Sequence, residues 1–238
     1  ESTCLAHCRH KSPSSICCRP QMGTCVRASL HRRSVLVATL SPPLLKQEIG
    51  AFACVVDDHL PAGRVNERVA SALAAYVRRY LHPGAVVGVG WGDTVARALA
   101  MLAEESLEGV ILASAAGSIQ AISQSLAGDP KVSHHLRVVP APLLVSSPEA
   151  ATMLRAEQTV REVLELASTA TVTLTGIGAA GPGASAVRSQ LLTEAEVANY
   201  AGMGAVGDML GEWFDAHGRI VSEATSNRRI GLSLDQLR

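Results

Sequence analysis

The residues best placed for chemistry form one short run, Gly88-Val89-Gly90-Trp91-Gly92-Asp93-Thr94, between the apolar run Ala85–Val87 and a helix-like run from Val95 onward. Closely spaced glycines at the end of a strand let the backbone approach an anion without interference from Cβ. The following helix then turns its free N–H groups and the positive end of its dipole toward that anion. The pattern fits a phosphate-binding turn, and a purely structural tight turn uses the same glycines. Two nucleotide signatures fail on spacing. A dinucleotide fingerprint needs Gly or Ala at its sixth position, where Asp93 stands, and an acidic ribose ligand after the next strand, where the chain has Ala113-Ser114. An NTP-binding loop needs Gly-Lys-Ser/Thr, which this run lacks.

A second candidate is Asp208, approached through Gly202-Met203-Gly204-Ala205-Val206-Gly207. A glycine-rich approach exposes a carboxylate, which accepts from sugar hydroxyls as readily as it transfers protons. Other polar groups read more simply. His134 and His135 follow Gly128-Asp129-Pro130 as loop residues, Asp57, Asp58 and His59 suit a solvated strand end, and Cys54 in an apolar run suits a core. Five of the six cysteines (Cys4, Cys8, Cys17, Cys18, Cys25) lie near the start with His7 and His10. Their spacing lacks the repeated short pairs of a zinc knuckle, so no metal site and no cofactor is expected.

The elements that must position these residues are written in the apolar pattern. The 238 residues are 47% apolar, 18% charged and only 3% aromatic, so a core must be built from Ala, Val, Leu and Ile, as in helices packed on a parallel sheet. Residues 1–33 carry six Lys or Arg against Glu1 alone, balanced by an acidic excess in the remainder. A mildly acidic body is a poor nucleic-acid surface, and the basic head reads as a solvated tail or an interaction arm. It shows neither strand nor helix periodicity, and disorder is expected there. No apolar signal-peptide core and no run long enough to span a membrane is present, which points to the cytoplasm.

From Ser34 onward the pattern changes. Strands are expected at 34–40, 51–56, 85–89, 110–113, 136–139 and 171–175, with helices at 64–81, from 93 or 94, at 119–127, 149–155 and 157–168. Ser114–Ser118 reads as a second loop of small residues, and Gly176–Gly181 as another glycine exit. Thr193 with Glu196 forms a capping box, and Trp213-Phe214 reads as a strand turning at Asp215–Gly218. Alternation of strand and helix from 85 to 176 argues for right-handed crossovers in a mainly parallel, Rossmann-like sheet flanked by helices.

Several motifs in register carry a resemblance. Gly88–Thr94, Pro140-Ala141-Pro142-Leu143-Leu144-Val145-Ser146-Ser147-Pro148, Val163-Leu164-Glu165-Leu166-Ala167 before Thr175-Gly176-Ile177-Gly178, and Gly204-Ala205-Val206-Gly207-Asp208 with Phe214-Asp215-Ala216-His217-Gly218 resemble the effector-binding domain of SorC/DeoR-type bacterial transcriptional regulators. The match runs over residues 34–238. It implies a fold similar to ribose-5-phosphate isomerase, glucosamine-6-phosphate deaminase and CoA transferases, used as a sensor without catalytic residues. The resemblance makes Gly88, Gly90, Trp91, Gly92, Asp93 and Thr94 the wall of an effector pocket, with Gly117 and Gln120 lining it and Asp208 holding sugar hydroxyls. Arg188 is a further candidate for charge neutralisation. The implied partners are a phosphorylated sugar and further copies of the chain in an oligomer, with DNA reached only through a helix-turn-helix domain that residues 1–33 do not resemble and with no membrane partner. The chain departs from the family at Ser114-Ala115, where a Gly-Gly pair is usual. It also stops at Arg238, where family members continue through a loop with a phosphate-binding lysine, so the domain is expected to be incomplete. An isomerase- or deaminase-like enzyme of the same fold, or a fragment without function, are the alternative readings.

Overall fold

A computed structural model describes residues 25–30, 33–38, 52–55, 62–104, 107–119 and 129–237, with side chains from residue 64 onward. The first described elements are the strands β1 (Cys25–Leu30), β2 (Arg33–Ala38) and β3 (Phe52–Val55). Helix α1 (Ala62–Val77) follows and tightens into a single 3-10 turn, Arg78–Tyr80. Its apolar stripe Val65, Val69, Leu73 and Val77 is buried, as spacing by four along one helix face requires. Strand β4 (Val86–Val89) leads through the glycine turn into α2 (Asp93–Ala103), which buries Val95, Ala98, Leu99 and Leu102 and packs against α1.

The alternation continues with β5 (Ile111–Ser118), a single-turn α3 (Pro130–Ser133) and β6 (Leu136–Pro142). Helices α4 (Pro148–Ala156) and α5 (Gln158–Ser168) then return the chain to β7 (Val172–Ala179). Ser147 caps α4 by accepting from Ala150 N, with Pro148 in the first turn, and α5 lies along β4, β5 and β6. The short α6 (Ser185–Arg188) precedes α7 (Glu194–Gly202), whose capping box between Thr193 and Glu196 forms as its spacing dictates. Strands β8 (Ala205–Met209) and β9 (Glu212–Asp215) make a hairpin, and α8 (Glu223–Asn227) follows.

The sheet order is β3-β2-β1-β7-β4-β5-β6, with β8 and β9 branching from β7. Strands β7, β4, β5 and β6 are mutually parallel, and β1 adds antiparallel to β7. This is the Rossmann-like arrangement expected from residues 85–176. Three expectations are corrected. Ser114–Ser118 is not a loop, because β5 runs on through Ser118 beside β6. The exits Gly176–Ala179 and Ala205–Gly207 are likewise strand, since β7 and β8 pair there with Gly178 opposite Asp208. Cys25–Leu30 pairs with both β2 and β7 although it lies in the segment expected to be disordered, the ladder supplying an order that its weak periodicity does not announce. The helix expected at 119–127, apart from its first residue, the group Asp57, Asp58 and His59, and the early cysteine and histidine cluster up to Cys18 lie outside the described residues.

The first two glycines of the opening run serve the sheet. A Cβ on Gly88 would collide with the Thr173 hydroxyl on β7 and lie 3.0 Å from Thr173 Cβ, and a Cβ on Gly90 would lie 2.8 Å from Thr175 Oγ1 and 2.7 Å from Leu210 Cδ2. Overpacking of this kind costs about 1–3 kcal/mol. Gly88→Ala is therefore expected to lower the melting temperature by several degrees. Adding Thr173→Ala, which removes the obstructing hydroxyl and methyl but keeps Cβ, is expected to recover part of that loss in the same thermal unfolding measurement.

Candidate functional site

At the carboxyl ends of β4 and β7 the structure forms an open cleft with about 770 Å³ of space, its mouth included. One wall is the start of α2. Gly92 is its N-cap, with φ 153°, a backbone angle open to glycine, and no side chain caps the helix. The first-turn N–H groups of a helix have no intrahelical acceptor, so those of Asp93, Thr94 and Val95 are donors beside the cleft that these residues line. Thr94 is 3% exposed and its Oγ1 is buried without a hydrogen-bond partner. An unsatisfied buried hydroxyl is costly, so this one marks a position where an acceptor from outside the chain would be stabilised.

Trp91 closes the back of that wall. It is buried and donates from Nε1 to the carbonyl of Gly117 at 2.5 Å, so the indole ties the α2 turn to β5. Asp93 is exposed and pairs with Arg97 at 2.9 Å, an i,i+4 bond that partly offsets its charge at the cleft mouth.

The opposite wall comes from the β8–β9 hairpin and α6. Asp208 faces Gly178 across the β7–β8 ladder, and its Oδ1 occupies the space a Cβ on Gly178 would need. Its Oδ2 accepts from Gly211 N at 3.3 Å. Burial pushes the Asp208 carboxyl up to about 6, and the Gly211 N–H bond works against that rise. Arg188 also lines the cleft, exposed, with Nη1 donating to the Gly183 carbonyl.

Of the residues singled out in the sequence, Trp91, Gly92, Asp93, Thr94, Asp208 and Arg188 come together around this cleft. Gly88 and Gly90 do not reach it, being occupied with β7, and Gly117 meets Trp91 from behind instead of lining the space. Gln120 lies outside the described residues. Sequence reasoning passed over Asn66 on α1, Ser185 on α6, Ser189 just after it, and Leu143, all of which line the cleft. No local motif flags them, because only the packing of α1 and α6 onto the strand ends brings them there. His134 is exposed, and His135 sits 3.2 Å from the Val110 carbonyl through Nδ1, both away from the cleft. Among the described residues no three His, Cys, Asp or Glu side chains group as metal ligands, and no helix is long and apolar enough to cross a membrane.

The family model for a sugar-binding domain matches residues 49–238. The chain belongs to this sugar-binding domain family. The domain is 32% identical over 197 residues to the transcriptional regulator LsrR of Klebsiella pneumoniae subsp. pneumoniae, a match that covers 81% of this chain and 61% of that protein. It is 27% identical over 173 residues to the erythritol catabolism regulatory protein EryD of Brucella abortus, covering 68% and 54%. The chain thus spans between half and two thirds of the length of these relatives.

Solved structures show the same fold. The full-length sorbitol operon regulator SorC from Klebsiella pneumoniae superimposes with a TM-score of 0.61 at 20% identity, over 75% of this chain and 61% of that one. A DeoR family transcriptional regulator from Listeria monocytogenes superimposes at 0.60 with 21% identity, over 75% and 73%.

Asp208 also gives the sugar-binding domain a pH signature. Its folded pKa lies above the ordinary carboxylate value, so its contribution to stability is fully present below pH 4 and lost as pH rises through about 6. Asp208→Asn, which keeps an acceptor for Gly211 N–H, is expected to raise stability at pH 7 by on the order of 2–3 kcal/mol. It should have little effect at pH 4, as followed by denaturant unfolding at both pH values.

Proposed function

We propose that this domain is the effector-sensing part of a transcriptional regulator, that its effector is a phosphorylated sugar held in the cleft, and that it senses this molecule without turning it over. The observation that carries the reading is the pairing of unlike chemistries across one cleft. On one wall the uncapped helix α2 offers N–H donors and the buried Thr94 hydroxyl lacks a partner, a combination suited to phosphate oxygens. On the other wall Asp208 is an acceptor suited to sugar hydroxyls, and Arg188 adds a cation to the lining.

The relatives support the regulatory half of the proposal, since LsrR and EryD are named as regulators. In this reading effector binding shifts an equilibrium of a homo-oligomer, and DNA is contacted by a helix-turn-helix domain outside this one. One feature favours an enzyme of the isomerase or deaminase kind, a carboxyl titrating near 6. Such catalysis needs a second acid or base within hydrogen-bonding reach of the reacting group, and the bond described for Asp208 is to a backbone N–H.

Isothermal titration against a panel of aldose and ketose phosphates and their unphosphorylated parents tests the reading. At least one phosphate ester is expected to bind, its parent sugar more weakly, and Thr94→Val is expected to lower affinity about 10–100-fold, the loss of one hydrogen bond to a charged group. Absence of binding across the panel would contradict the proposal, and turnover of any member would replace it with the enzyme reading.

A further inference from the structure

The buried ion pair Glu212–Arg229 lies outside the cleft yet is bonded to one of its walls. Arg229 is 4% exposed and Glu212 is 7% exposed, and Arg229 Nη2 donates to Glu212 Oε1 at 3.0 Å. Nη2 also donates to the Leu232 carbonyl at 2.9 Å, and Glu212 Oε2 accepts from Leu234 N at 3.1 Å. The contact that matters for the cleft is the one from Nη1 to the Leu210 carbonyl, at 3.3 Å. Leu210 and Gly211 are the two-residue turn of the β8–β9 hairpin, and both line the cleft.

That turn is not held by its own residues alone. Leu210 has φ 54° and Gly211 has φ 78°, so the hairpin closes with two left-handed residues, one of them a bulky side chain that disfavours the region. Its outer carbonyl is taken by Arg229 and its inner N–H, on Gly211, is given to Asp208. The Arg229 stem also lies against the corner, its Cδ 3.4 Å from where a Cβ on Gly211 would stand.

We propose that Arg229 and Glu212 are positioning residues for the sugar cleft, holding the Leu210–Gly211 turn so that the Gly211 N–H stays aimed at the Asp208 carboxylate. The inference rests on the reading of the cleft as the sugar site only for its functional consequence. Its structural half concerns the Asp208 carboxyl and stands apart from any ligand. Stability by itself does not account for the pair. Burial lowers the Arg229 pKa, Glu212 opposes that and Arg155 adds to it, and Arg229 Nε is buried without a partner. Apolar side chains of similar volume commonly replace a buried ion pair with no loss of stability.

Among the described residues few charged groups line the cleft beside the carboxyl. Across the ladders Asp208 faces Gly178 on β7 and Trp213 on β9, and the other charged side chains lining the cleft are Asp93 from α2 and Arg188 from α6. These stay in place when the pair is replaced, and the replacement removes one charge of each sign, neither of which contributes to the Asp208 shift, so a change in Asp208 titration reports the turn.

The test uses the full 238-residue chain carrying Glu212→Met together with Arg229→Met. The Asp208 carboxyl carbon is followed by NMR through a pH titration and assigned by its absence in Asp208→Asn. The double variant is expected to melt within a few degrees of the parent, while its Asp208 midpoint moves upward from about 6 by at least half a unit as the Gly211 bond loosens. Affinity for whichever sugar phosphate binds the parent should fall at least fivefold. Should the double variant fail to fold, Arg229→Lys serves in its place. One ammonium cannot reproduce the planar fork that spans Leu210, Glu212 and Leu232, and a smaller shift in the same direction is expected. A folded variant with an unmoved Asp208 midpoint overturns the proposal. A midpoint that moves while no sugar phosphate binds the parent supports the positioning role and overturns the sugar reading instead.

Discussion

The close approach of backbones to β7 is the constraint on which the rest of the site depends. On one side Gly88 and Gly90 lie so near Thr173 and Thr175 that neither position has room for a Cβ, and Gly90 N donates to the Leu174 carbonyl at 2.7 Å. On the other side the Asp208 carboxylate occupies the space beside Gly178. One strand therefore sets where α2 begins and where the acceptor opposite it stands. Trp91 then fixes the depth of the α2 turn by its bond to Gly117, and the C-terminal segment holds the far turn through Arg229.

This arrangement lets a nearly neutral chain present a polarised cleft. The α2 wall gathers donors, namely first-turn N–H groups and the Thr94 hydroxyl, and the hairpin wall offers an acceptor whose charge is restrained by burial. Asp93, which would oppose an anion at the α2 wall, is turned to Arg97. In the proposed reading the donor wall takes the phosphate and the acceptor wall takes the hydroxyls of one molecule.

The parallel body of the fold was readable because period and punctuation agreed. The stripe Val65, Val69 and Leu73, the Ser147-Pro148 start and the Thr193–Glu196 box each stated an element in local terms. Strand ends were less readable. Ser114–Ser118 and Gly176–Ala179 are composed of small residues that suit a loop, and only their neighbours β6 and β8 make them strand. The role of Gly88 and Gly90 was misplaced for the same reason, since a glycine that yields to a side chain on the next strand looks identical in sequence to one that yields to an anion. Thr94 and Asp208 were legible as candidates from their motifs. The buried network of Glu212 and Arg229 was not, because two opposite charges 17 positions apart carry no signal until the hairpin and the last segment are packed together.

In the proposed reading, phosphate and sugar hydroxyls occupy opposite walls of this one cleft. Amide chemical-shift mapping of the isotope-labelled chain with a sugar phosphate, its parent sugar and inorganic phosphate addresses it directly. Inorganic phosphate is expected to perturb the amides of Asp93, Thr94 and Val95 alone, and the sugar phosphate these together with Gly207–Gly211. Saturable shifts confined to any other surface, or no shifts at either wall, would contradict it.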